Sequence, residues 1–211
     1  ENWAQKYVDD FILADTNNHA ESLEATRKYA QEHALDGVIC FWEDDVLLTS
    51  KIVDMLDLPG IPYRVARTAR NKYLFRELCQ EAGIPTPQHH MISSEADVDY
   101  VMTKFAFPVI VKPVYGSSSA LVVKVEKRGD LPKVVRYITE NISEKMESAL
   151  ANGTQILVEE YLQGQEVDID MLVQNGKVKF YSITDNDPTD EPFFVETGDS
   201  IPSSLLEESQ E

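Results

Sequence analysis

The stretch that decides the fold reads Phe107-Pro-Val-Ile-Val-Lys112-Pro-Val-Tyr-Gly116-Ser-Ser-Ser119. Its apolar first half predicts a buried strand, and Lys112 stands near the end of that strand. A lysine in such a place is costly to bury without a partner, so it is a candidate ligand for an anion. The loop Gly116–Ser119 can offer backbone N–H groups and hydroxyls to phosphate oxygens. The alternative is that Lys112 extends to solvent and the serines form an ordinary hairpin turn.

A second stretch with a functional pattern is Ile156-Leu-Val-Glu159-Glu160-Tyr-Leu162. Its apolar start predicts another buried strand, and strand alternation places the Glu159 and Glu160 side chains on opposite faces. Where such a strand ends, the free C=O and N–H groups of its backbone can pair with the edge of a purine. The stretch is therefore a candidate contact for a nucleobase.

Three carboxylates follow on one face of the next predicted strand, at Glu166, Asp168 and Asp170. Carboxylates in such a row repel one another, so they attract counter-charges, ligand hydroxyls or a metal ion. The simpler interpretation, which we favour for Asp168 and Asp170, is a solvated strand face. In that case the alternate residues turn inward: Val167, Ile169 and Met171. The Asn175-Gly176 pair predicts a type I′ hairpin turn, because both residue types tolerate a positive φ.

The rest of the chain alternates helical and strand patterns through its first third, which indicates a parallel α/β layer. Asn18 and Glu21 have the spacing of a capping box at a helix start, and Ser94 with Asp97 has the same spacing. The periodicity predicts helices over 19–34, 46–56, 70–83, 94–105 and 130–149. It predicts strands over 37–41, 107–113, 121–125, 156–162, 166–173 and 178–184.

The composition limits the class of partner. The chain has 211 residues, enough for one or two domains, with 19 Lys and Arg against 37 Asp and Glu, a net charge of −18. Such a charge argues against nucleic acid and against an anionic membrane surface, because both need clustered cations. An anionic ligand must therefore be attracted by a few local cations and N–H groups.

Several common sites are excluded by their missing signatures. The nine glycines are too widely spaced for a Rossmann fingerprint or a Walker P-loop, and no zinc motif occurs. His89 and His90 are neighbours in a predicted strand, so their side chains point to opposite faces and do not share a metal. Cys40 and Cys79 each lie in an apolar stretch, which favours small buried residues in a reducing compartment. Without a signal peptide or membrane span in the sequence, we expect a cytoplasmic location.

The order of these stretches resembles that of the ATP-grasp superfamily over most of the chain. Residues 36–60 resemble the end of the domain that precedes the grasp. Arg70-Asn-Lys72 with its helix, followed by Gly83-Ile-Pro85, resembles the segment that supplies the first phosphate lysine. The strand 107–113 resembles the second lysine strand, which is followed by a mobile phosphate loop. Residues 158–166 resemble the adenine hinge and the ribose contact.

The resemblance implies the fold and its bounds. The fold class is α/β plus α+β. A partial Rossmann-like layer over residues 1–66 precedes a partial ATP-grasp domain over 67–211. Within that domain the lid covers about 87–161, and an incomplete C-terminal lobe covers 162–211.

The resemblance also implies which residues hold the phosphates of ATP. Lys72 and Lys112 would bind the α- and β-phosphates. The backbone of the phosphate loop would cover them through four residues: Gly116, Ser117, Ser118 and Ser119. Ala120-Leu121 stands where many members of the superfamily carry another glycine.

The adenosine contacts follow in the same way. The Glu159 side chain and the Glu160 carbonyl would accept hydrogen bonds from the adenine amino group. The Leu162 N–H would donate to the adenine ring, and Glu166 would bind the ribose hydroxyls.

In this superfamily ATP phosphorylates a carboxylate, and an amine or another nucleophile then captures the acyl-phosphate. Residues 43–45, 64–70 and 193–203 resemble the L-amino acid ligase branch, which makes dipeptides. The expected partners are small carboxylate and amine substrates, and a homodimer is allowed. The alternatives are a carboxylase of the biotin-carboxylase or carbamoyl-phosphate type and a non-catalytic nucleotide-binding module.

The superfamily binds Mg²⁺ through acidic and amide residues on strands beyond the adenine hinge. The sequence ends at Glu211 before such a pattern, so we expect these ligands further along the parent protein. We expect an internal piece of a longer enzyme, which alone binds adenine nucleotide weakly at most and has no ligase activity. No catalytic residue and no metal ligand is assigned. The nearest acidic residues are interpreted as a solvated, proline-broken loop: Asp185, Asp187, Asp190 and Glu191.

Overall fold

The computed structural model describes residues 6–143, 145–146 and 148–205. The Cα positions divide the chain into two units, Glu1–Leu78 and Cys79–Glu211. Helices make up the first unit, and two antiparallel sheets with helices make up the second. The predicted class of mixed helix and sheet is therefore confirmed. The domain bounds at 1–66 and 67–211 rest on the family resemblance and stay a prediction.

The described part of the first unit is built from helices: α1 (His19–Glu32), α2 (Val46–Leu56), α3 (Tyr63–Arg70) and most of α4 (Lys72–Glu81). The bounds predicted for α2 are confirmed. The helix α3 has no counterpart in the sequence-based prediction, and α4 alone fills the helix predicted over 70–83. Asn71 separates these two helices, and its Oδ1 accepts a hydrogen bond of 2.9 Å from the Leu74 N–H. This side chain caps α4, because it satisfies an N–H group that has no partner inside the helix.

The N-cap of the capping box predicted for α1 is confirmed, but the Asn18 N–H donates to the Asp15 carbonyl instead of to Glu21. The Asn18 side chain accepts a hydrogen bond of 3.3 Å from the Glu21 N–H and donates one of 3.1 Å to the Glu21 carboxylate. Without these bonds, the Glu21 N–H and the Asn18 side chain would need water as their hydrogen-bond partner at the start of the helix.

The strand predicted over 37–41 is not formed. Ile39 and Phe41 are 73% and 89% exposed. A strand needs a neighbour for its N–H and C=O groups, and the described part of the first unit contains no other strand. The described residues therefore do not form the parallel layer that the alternating pattern indicates.

The second unit contains a four-stranded antiparallel sheet of order β1-β4-β2-β3. Its strands are β1 (His89–Ile92), β2 (Val109–Pro113), β3 (Val123–Val125) and β4 (Ile156–Glu160). The predicted strands 107–113, 121–125 and 156–162 are confirmed within these shorter bounds. Two helices lie in the same unit: α5 (Glu95–Lys104) and α6 (Leu131–Asn141).

One face of this sheet packs on the two helices. Val109 and Val111 of β2 are fully buried in one apolar core with Val101 of α5 and Ile138 of α6. Burial of each such side chain stabilises the fold by about 1.5–3 kcal/mol. This core fixes which residues of each strand point away from the helices.

The other face of the sheet carries charged side chains. Ile110 of β2 lies opposite Glu159 of β4 on one side and Lys124 of β3 on the other. Partners in register share a face, and so does Lys112, two residues along β2. Three charged residues therefore lie on the face that points away from the helices.

The last part of the second unit forms a three-stranded antiparallel sheet: β5 (Val167–Gln174), β6 (Lys177–Asn186) and β7 (Asp199–Ser200). Asn175 and Gly176 join β5 to β6 with φ angles of 52° and 71°, which confirms the type I′ turn. The prediction that Ile169 and Met171 turn inward is wrong, because each is more than half exposed. Since successive residues alternate between faces, both faces of this hairpin are open to solvent within the described chain.

Helix α6 is shorter than the helix predicted over 130–149. It ends at Asn141, because the next residue, Ile142, has a ψ of 113°, which is not a helical value. Leu150 is buried in the same core as Ile138, so the chain folds back to reach it. Residues 144 and 147 of the predicted helix lie outside the described residues. No helix of the described chain is long and apolar enough to cross a bilayer.

Asp97 organises the start of α5. Its carboxylate accepts hydrogen bonds from the Ser93 N–H at 3.0 Å and the Ser94 hydroxyl at 2.8 Å, and lies 3.1 Å from His90 Nε2. The Ser94 hydroxyl accepts no hydrogen bond from a backbone N–H of the helix, so the start of α5 is held by the Asp97 carboxylate. These bonds, that of Ser93 above all, lower the pKa of Asp97 to about 2. His90 and its neighbour His89 have structural contacts, as predicted.

We expect Asp97→Asn to lower the melting temperature at pH 7, because an amide accepts these bonds less well than a carboxylate. The folded-state pKa of Asp97 lies below the ordinary 3.8, so its contribution is full above that pH. It is lost as the pH falls toward 2, and the variant should flatten this acid limb. Thermal unfolding as a function of pH measures both effects, and Asp99→Asn on the same helix is the control. An acid limb as steep as in the wild type would contradict the assignment.

Candidate functional site

The central pair of the candidate site is Lys112 and Glu159. Their side chains meet diagonally across β2 and β4, where Lys112 Nζ forms an ion pair with Glu159 Oε2. The Lys112 side chain is 16% exposed and that of Glu159 is 5% exposed. The alternative in which Lys112 simply extends to solvent is therefore wrong. Burial of a charge without a partner is costly, and each group removes that cost for the other.

The two neighbouring glutamates point to opposite faces, as predicted. Glu160 is exposed, and its N–H donates a hydrogen bond of 2.8 Å to the Gln88 carbonyl. Its Oε2 accepts one of 3.2 Å from the Gln88 N–H. These two bonds attach the end of β4 to the start of β1, so Glu160 has a structural role whether or not its carbonyl also contacts a ligand.

The chain leaves the sheet directly after Glu160, at the hinge predicted for adenine. Leu162 is exposed, and within the described residues its N–H has no hydrogen-bond partner. Glu166 is also exposed, and its carbonyl accepts a hydrogen bond of 3.2 Å from the Asn186 N–H. A donor at Leu162 and a carboxylate at Glu166 fit the predicted adenine and ribose contacts, which stay predictions.

The loop between β2 and β3 holds non-glycine residues in the left-handed region. The Ala120 N–H donates to the Ser117 carbonyl at 3.0 Å, and Ser118 and Ser119 between them have φ angles of 51° and 54°. Leu121 follows with a φ of 60°. Each such residue costs about 1–2 kcal/mol, so the sequence Ser-Ser-Ala-Leu maintains a strained loop without glycine. Strain of this kind is typical of functional sites.

Ser118 is the exposed tip of this loop. Neither its N–H nor its hydroxyl makes a hydrogen bond within the described residues. These donors are available to an anion, and the contact of the loop with phosphate stays a prediction.

Lys72 is the first residue of α4 and belongs to the first unit. Its contact with the phosphates stays a prediction.

The prediction that the acidic residues over 185–191 form a solvated loop is wrong for Asp185, which lies in β6, whereas Glu191 is exposed but has protein partners. Asp185 accepts hydrogen bonds from the Ser203 hydroxyl and the Ser204 N–H, which lower its pKa. Glu191 pairs with Lys124 and accepts a hydrogen bond from the Tyr161 hydroxyl. The physical reason is that β7 and the segments on either side of it pack against the two sheets, which brings distant donors to these carboxylates.

The sequence-based prediction omits Lys124 and Tyr161. A signal for Lys124 is present, because it stands between Val123 and Val125 in an apolar strand as Lys112 does in β2. Its partner Glu191 could not be found by pattern, since 67 residues separate the two.

Asp168 and Asp170 lie opposite Thr184 and Ser182 of β6 and are exposed. The favoured interpretation of a solvated face agrees with their exposure. The described residues hold no group of three or more His, Cys, Asp and Glu side chains that fits a metal ion.

A family model described as an ATP-grasp domain matches residues 105–211, which is half of the chain. The chain belongs to the ATP-grasp family. The matched ATP-grasp region includes Lys112, the loop Gly116–Ser119, Glu159 and Glu166, whereas Lys72 precedes it. Ligases of this family use ATP together with Mg²⁺.

Other ATP-grasp proteins are similar to the chain. Human carnosine synthase 1 is 27% identical over 224 residues, which cover 99% of this chain and 27% of that protein. D-alanine–D-alanine ligase of Stutzerimonas stutzeri is 31% identical over 123 residues, 56% of this chain and 36% of that protein. A crystal structure of L-amino acid ligase from Bacillus licheniformis is 30% identical with a TM-score of 0.73, covering 92% of this chain and 43% of that one. The chain thus spans between a quarter and a half of these relatives.

We expect Lys112→Met and Glu159→Gln each to destabilise the fold by about 3 kcal/mol, because each leaves a buried charge without its partner. The double variant Lys112→Met/Glu159→Leu should recover most of this loss, since two apolar side chains of similar volume can pack together. Denaturant unfolding measures the three values. Lys133→Met removes an exposed lysine of α6 as a control and should change stability by less than about 0.5 kcal/mol. Single variants as stable as this control would contradict the buried pair.

We expect Ser118→Gly and Ser119→Gly each to stabilise the fold by about 0.5–1 kcal/mol, because glycine adopts a positive φ without strain. Ser117→Gly is the matched control, since Ser117 has no positive φ and should lose stability through the entropy of the unfolded chain. Denaturant unfolding of the three variants gives the comparison. If all three substitutions lower the stability equally, the loop Gly116–Ser119, which we call the serine loop, is not strained.

Proposed function

We propose that this chain is the ATP-binding part of an ATP-grasp ligase that activates a carboxylate as an acyl-phosphate and joins it to an amine. The observation that carries the proposal is the Lys112–Glu159 ion pair on the sheet face that points away from the helices. Its strand leads directly into the strained serine loop, whose tip has donors available. A lysine followed by a loop whose tip, Ser118, offers an N–H and a hydroxyl is suited to the phosphate tail of a nucleotide.

Each residue would contribute binding and orientation. Lys112 and Lys72 would neutralise the α- and β-phosphates, and the loop Gly116–Ser119 would cover them. Glu159 would accept from the adenine amino group while Lys112 holds its carboxylate in place. The Leu162 N–H would donate a hydrogen bond to the adenine ring, and the Glu166 carboxylate would bind the ribose hydroxyls. The contribution to rate is positioning and charge neutralisation, which are the main requirements of phosphoryl transfer.

The two chemical steps balance without a redox partner. A carboxylate oxygen of the substrate attacks the γ-phosphorus of ATP, and ADP leaves. The amine nitrogen then attacks the carbonyl carbon of the acyl-phosphate, phosphate leaves, and the nitrogen loses a proton to form the amide. We propose that the residues that bind Mg²⁺ and the substrates lie outside the described residues.

The substrate class is proposed from the named relatives. Their names refer to amino acids, to D-alanine and to carnosine. We therefore propose that the parent protein joins two amino-acid-like molecules. A cytoplasmic location is proposed with it, because both cysteines are free thiols.

We expect ATP to raise the melting temperature of the 211-residue chain. Binding to the folded state alone adds about 1.4 kcal/mol when the ATP concentration is ten times the Kd. The double variant Lys112→Met/Glu159→Leu should lose this effect while remaining folded. Lys133→Met, which removes a lysine from an exposed site, should retain it. Thermal unfolding with and without millimolar ATP measures the difference.

Two results would contradict the proposal. A wild-type chain that ATP does not stabilise at any concentration has no nucleotide site. A double variant that ATP stabilises as much as the wild type would show that Lys112 and Glu159 do not contact the nucleotide. The first result would favour a fold without a nucleotide site. The second would favour a nucleotide site built from other residues.

A further inference from the structure

Lys124 on β3 joins three parts of the second unit through one ammonium group. Its Nζ lies 2.8 Å from both carboxylate oxygens of Glu191 and 2.9 Å from Oε1 of Glu126. It also lies 4.1 Å from the centroid of the Tyr161 ring, and the Tyr161 hydroxyl donates to Glu191 Oε1 at 3.0 Å. The Lys124 side chain is only 10% exposed. We call Lys124, Tyr161 and Glu191 the Lys124 cluster.

Backbone bonds connect the same parts. The Lys124 N–H donates to the Pro192 carbonyl at 2.9 Å, and Val123 forms an antiparallel bridge with Phe193. The segment 191–193 therefore pairs with the edge of β3 that β2 leaves open. Two kinds of interaction, a side-chain ion pair and backbone pairing, hold this segment in one register.

The charges of the cluster distinguish Lys124 from Lys112, which shares its sheet face. Lys124 faces two carboxylates, and their hydrogen bonds raise its pKa above its ordinary value. Lys112 is paired with Glu159. Two carboxylates around one ammonium leave the surroundings of Lys124 with a net negative charge, which does not attract a phosphate, whereas the pair of Lys112 with Glu159 is neutral.

The cluster lies between the two halves of the proposed nucleotide site. Lys124 follows the serine loop on β3, and Tyr161 lies between Glu160 and Leu162 at the proposed adenine hinge. Movement of β3 away from Tyr161 would displace the end of the serine loop from the hinge.

We propose that the Lys124 cluster is a positioning device that holds the exit of the phosphate loop at a fixed distance from the adenine hinge. The proposal rests on the proposed ATP site. Its residues touch neither phosphate nor adenine. They act through β3 and Tyr161, so the cluster affects the affinity for a ligand that must contact both the serine loop and the hinge.

The chain offers a matched control for the test. Glu126 and Glu191 both pair with Lys124, but Glu126 belongs to the chain directly after β3 and links no distant segment. Glu191→Gln and Glu126→Gln remove the same charge from the same lysine. Lys124→Met removes the ammonium, whereas Lys124→Arg keeps a cation that can bind Glu191 and stack on Tyr161.

The experiment measures the affinity of the wild-type chain and the four variants for ATP and for adenosine by NMR titration. We expect Glu191→Gln and Lys124→Met to weaken ATP binding by about tenfold. Adenosine binding should change little, because adenosine does not need the loop. Glu126→Gln and Lys124→Arg should bind both ligands as the wild type does. A loss of stability alone would not change this ratio of affinities in the folded protein.

Hydrogen exchange of the Lys124 amide gives a second readout that needs no ligand. We expect faster exchange in Glu191→Gln than in Glu126→Gln, because the bond to Pro192 opens more often. Equal exchange, or equal ATP affinity of these two variants, would overturn the positioning role. A parallel loss of ATP and adenosine affinity would also overturn it. A wild-type chain that binds no ATP would instead refute the proposed function and the positioning role together, while the exchange rates still report on the cluster.

Discussion

The pairing of Lys112 with Glu159 is the interaction on which the candidate site depends. The four-stranded sheet uses one face for its apolar core, so the charged residues of β2, β3 and β4 lie on the other. Lys112 is largely shielded from water there, and the carboxylate of Glu159, diagonally across the ladder, forms an ion pair with it. The same face thus keeps cations in place on a protein whose net charge is −18.

Two features follow from this arrangement. The serine loop leaves β2 directly after the paired lysine, so its strained turn is held at a fixed place by a rigid strand. The second lysine of the face, Lys124, is occupied by Glu191 and Glu126, which leaves Lys112 as the cation suited to a ligand. The number of carboxylates around each lysine therefore distinguishes the structural lysine, Lys124, from the lysine proposed to bind a ligand, Lys112.

The sequence predicts the local features of this fold well. Alternation separates Glu159 from Glu160, Asn175-Gly176 makes the expected turn, and α2 has its predicted bounds. Interactions between distant residues are the part that pattern cannot supply. The partner of Lys124 stands in a proline-broken segment that looks solvated, and the apolar run 37–41 has no neighbouring strand in the described chain.

The most direct test of the account is the map of backbone amide shifts that ATP produces in the labelled chain. If the charged face of the sheet binds the nucleotide, the largest shifts fall on the serine loop, residues 116–119, and on the hinge around Leu162. The amide signals of Asp168 and Asp170, two exposed residues of β5, should remain close to their positions in the chain without ATP. Shifts confined to β5, β6 or the first unit, with the loop and the hinge unchanged, would contradict the account.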